Sequence, residues 1–483
     1  MNTAVFRAAA PASASPATES SASLAALAPQ LPDADLLTRY DGLRIPRYTS
    51  YPTAPHFSDK VDAEVYRGWL GAVDTAAHAG SLYLHVPFCQ QMCWYCGCHT
   101  KIVARYDPIG EYIDVLRREV ALVSAALPGR LTVRHVHFGG GTPTMMSPDH
   151  FEGLIDWLRG HFDLAEDGEI AVEIDPRTFR PEMAAALGRA GVTRVSLGMQ
   201  DIDADVQAAI NRIQPFDMVQ RAADQLRAAG VGEINLDLMY GLPRQSVDSV
   251  IRAAEAALTL DPSRVSVFGY AHVPWMKTHQ KKIVESELPG THARWEQFAA
   301  ISQTLTGKGG MAAVGLDHFA RPDDEIAVMQ AEGRLCRNFQ GYTTDDADVL
   351  LGFGASSIGQ LPQGYAQNAV PFDQYAQAVN DGKLAVAKGI AITDEDRLRR
   401  AVIERLMCDL SVDVGAVAQA HGRPVNYFDA VLADMGDLIA DHVVSLDGRR
   451  LAVPEPARPL MRVAAARFDA YLATGAGRHS RAV

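Results

Sequence analysis

The chain has 483 residues, which is enough for one large domain of the α/β-barrel class and a smaller second domain. Its formal net charge of −13 argues against a nucleic-acid partner that is held mainly through phosphate groups. The hydrophobic content of 48% is ordinary for a globular protein. No apolar run reaches the roughly 18 residues that a membrane span requires, so we expect no span.

The first 35 residues are rich in alanine, serine and proline. Such a composition buries too little apolar surface to offset the entropy that is lost on ordering, so we predict a disordered tail over residues 1–35. An organelle transit peptide is the alternative. Against it, Arg7 is the only basic residue of the stretch and Glu19 is acidic.

From residue 81 onward, short β-type runs alternate with segments of helical spacing. The runs are residues 81–86, 133–138, 169–174, 193–198, 233–239 and 264–268. Six strand–helix units in succession predict a parallel sheet curved by right-handed crossovers. Because six is fewer than the eight of a closed barrel, we predict an α/β fold with an incomplete barrel, and a flat doubly wound sheet is the alternative.

Polar residues and glycines accumulate directly after these runs. In chain order they are the cysteine cluster that begins at Cys89, the turn Gly139-Gly140-Gly141-Thr142-Pro143, Glu173 with Asp175, Gln200 with Asp201, Asp237 with Tyr240, and Ala271 with His272. The carboxyl ends of parallel strands build the active sites of barrels and open sheets. The sequence therefore predicts a functional site at the mouth of the barrel.

Four of the six cysteines fall within ten residues, at Cys89, Cys93, Cys96 and Cys98. In a large chain, such clustering favours ligands of a metal or an iron–sulfur cluster in a reducing compartment over a disulfide framework. Three thiolates on one loop can bind three irons of a cubane and leave the fourth iron open to an amino-carboxylate ligand such as S-adenosylmethionine (SAM). A four-cysteine zinc site is the alternative, although zinc ligands generally come as two well-separated pairs.

The residues after the later strands allow two interpretations each. The glycines at 139–141 let the backbone approach a ligand closely, or they make a tight connection between strand and helix. Glu173 and Asp237 bind ribose hydroxyls or an amino group, or they form a satisfied polar pair at the barrel mouth. Gln200 has similar standing, and Arg212 binds a carboxylate or belongs to the surface of a helix.

Beyond about residue 390 the pattern changes to helices followed by a hairpin over residues 443–453, for which Asp447-Gly448 is a strong two-residue turn signal. Helices followed by a hairpin of this kind, called a wing, occur in DNA-binding modules. Because the chain is acidic, we favour a domain that covers the barrel or packs against it.

Short motifs along the chain form a specific combination. They are Arg47-Tyr48-Thr49-Ser50-Tyr51-Pro52-Thr53, Tyr83-Leu84-His85-Val86-Pro87-Phe88-Cys89, the CxxxCxxC loop with Cys96-Gly97-Cys98, the GGGTP turn, Tyr240-Gly241-Leu242-Pro243, Asp317-His318-Phe319-Ala320-Arg321-Pro322 and Asn338-Phe339-Gln340-Gly341-Tyr342. The chain thereby resembles the radical SAM enzymes and, more narrowly, the oxygen-independent coproporphyrinogen III oxidases. The resemblance implies an incomplete (β/α)6 radical SAM barrel at residues 81–365, an N-terminal extension at 36–80 that covers the substrate, and a C-terminal, mainly helical domain at 366–483.

The resemblance also implies the cofactors and their ligands. By motif match, Cys89, Cys93 and Cys96 hold a [4Fe-4S] cluster, whereas Cys98 does not. Two SAM molecules are implied near the cluster. The residues that match the family's SAM contacts are Tyr83, Tyr95, Gly140, Gly141, Thr142, Glu173, Gln200, Arg212, Asp237, Ala271 and Ile358. Tyr95 stands where other members often carry phenylalanine, so the aromatic character is retained.

The implied activity is the anaerobic oxidative decarboxylation of two propionate side chains of coproporphyrinogen III to vinyl groups, which gives protoporphyrinogen IX in haem biosynthesis. A 5′-deoxyadenosyl radical derived from SAM would take a hydrogen from the β-carbon of each propionate. The expected partner is a low-potential electron donor such as flavodoxin or ferredoxin, and we expect a cytoplasmic monomer.

Three alternatives stay open at this point. The related haem chaperone generally lacks the fourth cysteine and the segment at residues 47–53, both of which are present here. Another radical SAM enzyme that acts on a porphyrin, such as a methyltransferase, is the second alternative. The third is a zinc-bound regulatory module that uses the winged C-terminus.

A substrate with several carboxylates needs cations despite the acidic chain. The candidates in the family-like segments are Arg44, Arg47, Lys101, Arg321 and Arg337, each of which is otherwise a surface ion-pair partner. His318 is the histidine that we predict as a proton or electron relay.

Overall fold

The structure is a computed structural model that describes residues 34–472 of the chain. The predicted disordered tail lies outside the described residues except for its last two positions. In the described part, no helix combines the length and the hydropathy that a membrane span needs.

The strands are short apart from those of the barrel. They are β1 (Ala79–Val86), β2 (Phe88–Cys89), β3 (Lys101–Ile102), β4 (Thr132–Gly140), β5 (Asp163–Ile174), β6 (Arg194–Gln200), β7 (Glu233–Tyr240), β8 (Arg264–Gly269), β9 (Ala312–Val314), β10 (His318–Ala320), β11 (Cys336–Asn338), β12 (Gly341–Thr343), β13 (Val349–Phe353), β14 (Ile358–Leu361), β15 (Gly364–Asn368), β16 (Val386–Ala391), β17 (Ser411–Asp413), β18 (Ser445–Asp447) and β19 (Arg450–Ala452).

The α-helices connect the barrel strands and build the C-terminal part. They are α1 (Ala34–Asp41), α2 (Ala63–Gly71), α3 (Asp107–Ala126), α4 (Pro148–His161), α5 (Pro181–Ala190), α6 (Ala204–Ala209), α7 (Phe216–Ala228), α8 (Val247–Thr259), α9 (Thr291–Gln303), α10 (Glu325–Ala331), α11 (Phe372–Asn380), α12 (Asp394–Asp409), α13 (Val414–Ala420), α14 (Asp429–Ala433), α15 (Gly436–Ala440) and α16 (Met461–Ala466). Their apolar stripes face the sheet: Tyr112, Leu116, Val120 and Val123 of α3 are all buried, as their spacing predicts.

Twelve strands form one sheet in the order β16-β15-β14-β13-β1-β4-β5-β6-β7-β8-β10-β9. The strands from β13 to β8 in that order run parallel, and the strands at both ends pair antiparallel. From β1 to β8 the spatial order equals the chain order, so right-handed crossovers place the connecting helices on one face of the sheet. A doubly wound sheet would reverse direction and carry helices on both faces. The predicted incomplete (β/α)6 barrel is confirmed.

The sheet contains one parallel strand more than predicted. Strand β13 pairs with β1, with Leu351 opposite Leu82. The prediction counted strands that a helix follows, whereas β13 is followed by the antiparallel strands β14 and β15. A buried apolar run of five residues with no helix after it does not distinguish a barrel strand from a hairpin strand.

A second hydrophobic core joins the two ends of the described chain. Tyr40, Ile45, Tyr48 and Tyr51 of the N-terminal segment are buried in the same core as the apolar residues of α12 and α16. Polar contacts strengthen this packing, since the Tyr48 hydroxyl donates to Asp469 at 3.1 Å. The N-terminal segment therefore packs on the C-terminal helices, and the division of the chain at residues 36–80, 81–365 and 366–483 stays a prediction.

The predicted C-terminal hairpin is present as β18 and β19, with Leu446 opposite Leu451 and Asp447 opposite Arg450. The two loop residues are Gly448 and Arg449, one position later than the predicted Asp447-Gly448 turn. The register follows from burial, because Leu451 is buried and a shift by one residue would turn its side chain to the other face. Gly448 has a φ of +59°, which suits a residue without a Cβ.

Candidate active site

The cysteine loop, residues 87–103, begins at the carboxyl end of β1. Strands β2 and β3 close the loop by parallel pairing, with Cys89 opposite Ile102. Cys93 is buried, Cys89 and Cys96 are half-buried, Cys98 is exposed, and all four are free thiols. The loop therefore presents its cysteines at the predicted mouth of the barrel.

Backbone carbonyls of the loop are held from outside by the segment after β8. Gln280 donates its amide to the Tyr95 carbonyl at 3.0 Å. The His279 ring nitrogen Nε2 lies 2.8 Å from the Cys96 carbonyl. These contacts hold the backbone between the second and third cysteines in place.

Two guanidinium groups contact the sulfur of Cys93. Arg177 Nη2 donates to Cys93 Sγ at 3.2 Å, and Arg212 Nη1 donates to the same atom at 3.5 Å. Both arginines also contact the Asp175 carboxylate, at 2.6 Å and 3.3 Å. Arg212 is buried, so the alternative that it belongs to an exposed helix face is wrong. Positive charge at one of three neighbouring thiols fits the anionic sulfur ligands of an iron–sulfur cluster.

The glycine turn after β4 packs directly against the cysteine loop. Thr142 donates its backbone N–H to the Phe88 carbonyl at 2.7 Å, and its hydroxyl lies 3.5 Å from Cys89 Sγ. A Cβ at Gly141 would lie 2.6 Å from the Phe88 carbonyl oxygen, so only glycine fits. The structure thus supports the tight-connection interpretation for Gly141, and the connection is what brings Thr142 to the first cysteine.

Two carboxylates face the same space from strands β5 and β7, which lie on either side of β6. Glu173 of β5 accepts from the Gly140 N–H at 3.0 Å and lies 3.3 Å from His137 Nε2. Asp237 of β7 accepts from the Ser196 hydroxyl at 3.0 Å and from the amide of Asn235, at 2.8 Å. Burial and then the charge of Glu173 raise the pKa of Asp237 to about 7. Each carboxylate therefore has protein partners and still faces the interior of the barrel.

We name the space inside the barrel mouth the cysteine cavity. Its volume is about 720 Å³, and its walls include the three predicted cluster ligands and nine of the predicted SAM contacts. These are Cys89, Cys93 and Cys96 with Tyr95, Gly140, Gly141, Thr142, Glu173, Gln200, Arg212, Asp237 and Ala271. The predicted residues come from the whole length of the barrel, and the fold brings them to one cavity.

Two of the predicted SAM contacts lie apart from these walls. The Tyr83 hydroxyl lies 3.1 Å from His85 Nδ1, and the Tyr83 ring stacks on His137 at 5.8 Å between centroids. Ile358 is a half-buried residue of β14 opposite Gln367. Their roles stay predictions.

A second space, which we name the arginine cavity, adjoins the first. Its volume is about 750 Å³, and both cavities share Arg47, Phe268, Tyr270, Ala271 and His318 as wall residues. The arginine cavity is lined by five arginines, namely Arg44, Arg47, Arg294, Arg337 and Arg462. A ligand in the arginine cavity would therefore be next to a ligand in the cysteine cavity.

Only three of the five predicted cations reach either cavity. Arg44, Arg47 and Arg337 do. Arg321 instead pairs with the exposed Asp261 at 2.6 Å, and Lys101 is an exposed residue whose Nζ lies 5.8 Å from the Phe372 ring centroid. The structure places these two side chains outside the walls of both cavities, because a sequence motif does not state on which side of the chain a charge lies.

The sequence interpretation missed Arg177, Arg294 and Arg462. Arg177 follows Asp175 by two residues at the end of β5, and that spacing is the signal that would have found it. Arg294 and Arg462 lie in helices α9 and α16 outside the quoted motifs, and no local pattern marks them.

His318 lies on the boundary between the two cavities. Its Nδ1 is 2.8 Å from Asp317 Oδ1, and its ring packs edge-to-face on Phe268 and Tyr342. Burial would raise the pKa of Asp317, but the hydrogen bond and the charge of His318 hold it below its usual value. The carboxylate fixes the orientation of the ring, and the relay role stays a prediction.

Comparisons with known proteins agree with this geometry. A model of the radical SAM superfamily matches residues 83–257, and a model of the HemN C-terminal domain matches residues 392–460. The oxygen-independent coproporphyrinogen III oxidase of Bradyrhizobium diazoefficiens is 52% identical over 93% of this chain and 100% of its own length. The enzyme of that name from Paracoccus denitrificans is 40% identical over 91% of this chain and 97% of its own length.

A solved structure of the Escherichia coli coproporphyrinogen III oxidase HemN, described as a radical SAM enzyme, is similar with a TM-score of 0.85. It is 35% identical and covers 92% of this chain and 100% of its own chain. The predicted resemblance is confirmed, and the zinc-bound regulatory module is not favoured. This chain therefore belongs to the oxygen-independent coproporphyrinogen III oxidases, a family of radical SAM enzymes whose cofactors are a [4Fe-4S] cluster and SAM.

Proposed function

We propose that this chain decarboxylates two propionate side chains of coproporphyrinogen III to vinyl groups without oxygen and so forms protoporphyrinogen IX in haem biosynthesis. The observation that carries the proposal is the juxtaposition of the two cavities. Four cysteines face one cavity, namely the three predicted cluster ligands and Cys98, five arginines line the other, and shared wall residues join them. The names of the curated relatives support the same reaction.

Cys89, Cys93 and Cys96 would hold the [4Fe-4S] cluster, and Cys98 would not. With SAM bound, these cofactors supply a carbon radical able to take a hydrogen atom from an unreactive carbon. The protein's part is to bind, to orient and to exclude water. The burial of Cys93, together with its two guanidinium neighbours, supports that assignment.

The SAM contacts are assigned by the chemistry of each wall residue. Asp237 and Glu173 can accept hydrogen bonds from ribose hydroxyls or from the amino group. Arg212 can bind the carboxylate of the methionine part at the cavity wall, because its buried Nε has no acceptor among the described residues. The proposal includes two SAM molecules, as the family resemblance implies.

Electrons must reach the cluster one at a time and at low potential. The proposal therefore includes an electron-donor protein such as flavodoxin or ferredoxin. A cytoplasmic location is consistent with six free thiols, four of them within ten residues. The proposal takes the working form to be a monomer.

An anaerobic assay with reductant, SAM and coproporphyrinogen III tests the proposal. We expect vinyl products together with 5′-deoxyadenosine. A cluster-replete sample that forms neither product would overturn the assignment. Retention of haem without turnover would point to the related haem chaperone, which the names of the curated relatives do not favour.

A further inference from the structure

The arginine cavity carries more positive than negative side chains. Its five arginines face only three carboxylates, those of Asp41, Glu285 and Asp317. Asp317 is hydrogen-bonded to His318 at 2.8 Å, and Glu285 lies 3.1 Å from His272 Nε2. In a chain with a net charge of −13, a local excess of guanidinium groups indicates an anionic ligand.

Three of these arginines, Arg47, Arg337 and Arg462, influence one another electrostatically, since the charges of Arg47 and Arg337 both act on Arg462. Arg337 Nη2 donates to the Arg47 carbonyl at 3.4 Å, and Arg47 Nη2 donates to the Gly269 carbonyl at 3.3 Å. Burial and then the neighbouring charge of Arg47 lower the pKa of Arg462 to about 10. Arg462 is buried and Arg337 is half-buried, and like charges in such positions cost free energy unless opposite charges compensate them.

Arg337 has side-chain donors that no acceptor satisfies among the described residues. Its guanidinium stacks on the Tyr342 ring at 4.3 Å from the centroid. Its buried Nε and Nη1 atoms have no hydrogen-bond acceptor among the described residues. Buried donors without acceptors are unfavourable, and a ligand carboxylate would supply two oxygen acceptors to such a fork.

Arg294, another cation of the cavity wall, is placed by a glycine. Its guanidinium lies 5.4 Å from the centroid of the Tyr240 ring. Gly241 has a φ of +79°, and a Cβ there would collide with the Arg294 guanidinium. The glycine of the Tyr240-Gly241-Leu242-Pro243 motif thus makes room for a cation at the cavity wall.

The remaining wall is aromatic and suits a large apolar ring system. It includes Phe268, Tyr270, Trp275, Phe298 and Phe339. A volume of about 750 Å³ lies in the range that encloses a ligand much larger than a phosphate or a simple dicarboxylic acid. Cations at several points around an aromatic-walled space match a macrocycle with carboxylates at its periphery.

We propose that Arg47, Arg337 and Arg462, together with Arg294, bind the peripheral carboxylates of the tetrapyrrole, so that Arg462 makes the C-terminal part of the chain a component of the substrate site. This inference rests on the proposed function. Arg47 precedes the buried Tyr48 of the second core, and Arg462 belongs to α16 of that core. The second core therefore sets the distance between two of the carboxylate-binding groups.

Binding to the anaerobic holoenzyme tests the inference without turnover. The probe is coproporphyrin III, the fluorescent oxidised macrocycle that keeps every carboxylate, and its fully methylated ester serves as the uncharged comparison. We expect Arg47→Gln, Arg337→Gln and Arg462→Gln each to weaken acid binding by about tenfold or more. Binding of the ester should change little in any of them. Arg321→Gln is the matched control, because Arg321 pairs with Asp261 away from both cavities.

Arg462 is buried, so its variant is first compared with the wild type by thermal unfolding. If it fails to fold, Arg47→Gln and Arg337→Gln decide the test. Unchanged affinity for the acid, or an equal loss for acid and ester, would overturn the inference even if the wild type converts coproporphyrinogen III. The opposite combination is also informative. If the wild type does not convert coproporphyrinogen III but the variants lose binding of the acid selectively, the proposed function is wrong and the carboxylate site is right.

Discussion

Arg177 Nη2 lies 3.2 Å from Cys93 Sγ, and the same guanidinium forms an ion pair with the Asp175 carboxylate. Hydrogen bonds and positive charge at a ligand sulfur stabilise the reduced, more negative state of an iron–sulfur cluster. Arg177 therefore lies where it would tune the reduction potential.

Replacing Arg177 with glutamine should lower the reduction potential of the cluster, because the reduced state loses a compensating charge. An anaerobic redox titration followed by electron paramagnetic resonance measures it. Arg189→Gln is the control, since Arg189 makes a surface ion pair with Glu152. An unchanged potential with full iron content would show that the Arg177 contact has no electronic effect.

Cys93→Ser should abolish both cluster retention and activity, whereas Cys98→Ser should leave the iron content near that of the wild type. Cys93 is buried among charged partners, and Cys98 is exposed. Iron and sulfide analysis of anaerobically purified protein measures the difference. Equal iron loss in the two variants would show that the ligand assignment is wrong.

The affinity for SAM should rise with pH through about 7, because burial and Glu173 raise the pKa of Asp237 to about 7. Below that pH the neutral carboxyl does not attract the cationic sulfonium and ammonium groups; above it the charged carboxylate does. Asp237→Asn should flatten the profile between about pH 6 and 8. Equilibrium binding of SAM to the holoenzyme gives both curves, and a wild-type curve without inflection would contradict the assignment.

Glu119 is a buried carboxyl of α3 that accepts hydrogen bonds from Gly354 N–H, Asn368 and Tyr375. Glu119→Ala removes all three hydrogen bonds and takes the acceptor away from the Gly354 N–H and the Tyr375 hydroxyl, so we expect a loss of about 3 kcal/mol in the free energy of unfolding. Denaturant unfolding measures the loss. Glu111→Ala, at an exposed position of the same helix, should change it by less than about 0.5 kcal/mol.

The same carboxyl predicts a pH dependence of stability. Burial raises the pKa of Glu119 to about 7, above its ordinary value of 4.5. Between those values the folded protein binds the proton that the unfolded chain has released, so this group's contribution to stability falls as the pH rises through this window. The slope of unfolding free energy against pH should therefore be less negative in Glu119→Ala. If the curves of unfolding free energy against pH were parallel in the wild type and the variant, the raised pKa of Glu119 would be contradicted.

His318→Asn should lower the rate of substrate conversion by about a hundredfold if the ring relays a proton, a factor typical of positioned acid–base groups. The affinity for SAM should stay unchanged, because the ring lies at the boundary of the two cavities rather than between the carboxylates of the barrel strands. Comparing single-turnover rates with SAM binding separates the two effects. If the variant converts substrate at the wild-type rate, His318 is not a relay.

The sequence by itself determined the barrel strands and the character of the site. Strand β5 carries Glu173 as its last residue but one, and strand β7 carries Asp237, because alternation and apolar runs are local properties of the chain. The spacing of Cys89, Cys93 and Cys96 sets three thiols on one loop for the same local reason. Since parallel strands end at one edge of a sheet, these local facts were enough to place the site.

Only the tertiary structure decided which distant groups share the second cavity. Arg47, Arg337 and Arg462 come from the N-terminal segment, from β11 and from α16, and a core built from both ends of the described chain brings them together. Arg321 has the same charge and belongs to the motif at residues 317–322, yet its side chain faces solvent. The reason is that local spacing fixes which residues are neighbours along an element, whereas the packing of apolar faces between remote elements fixes where their charges meet.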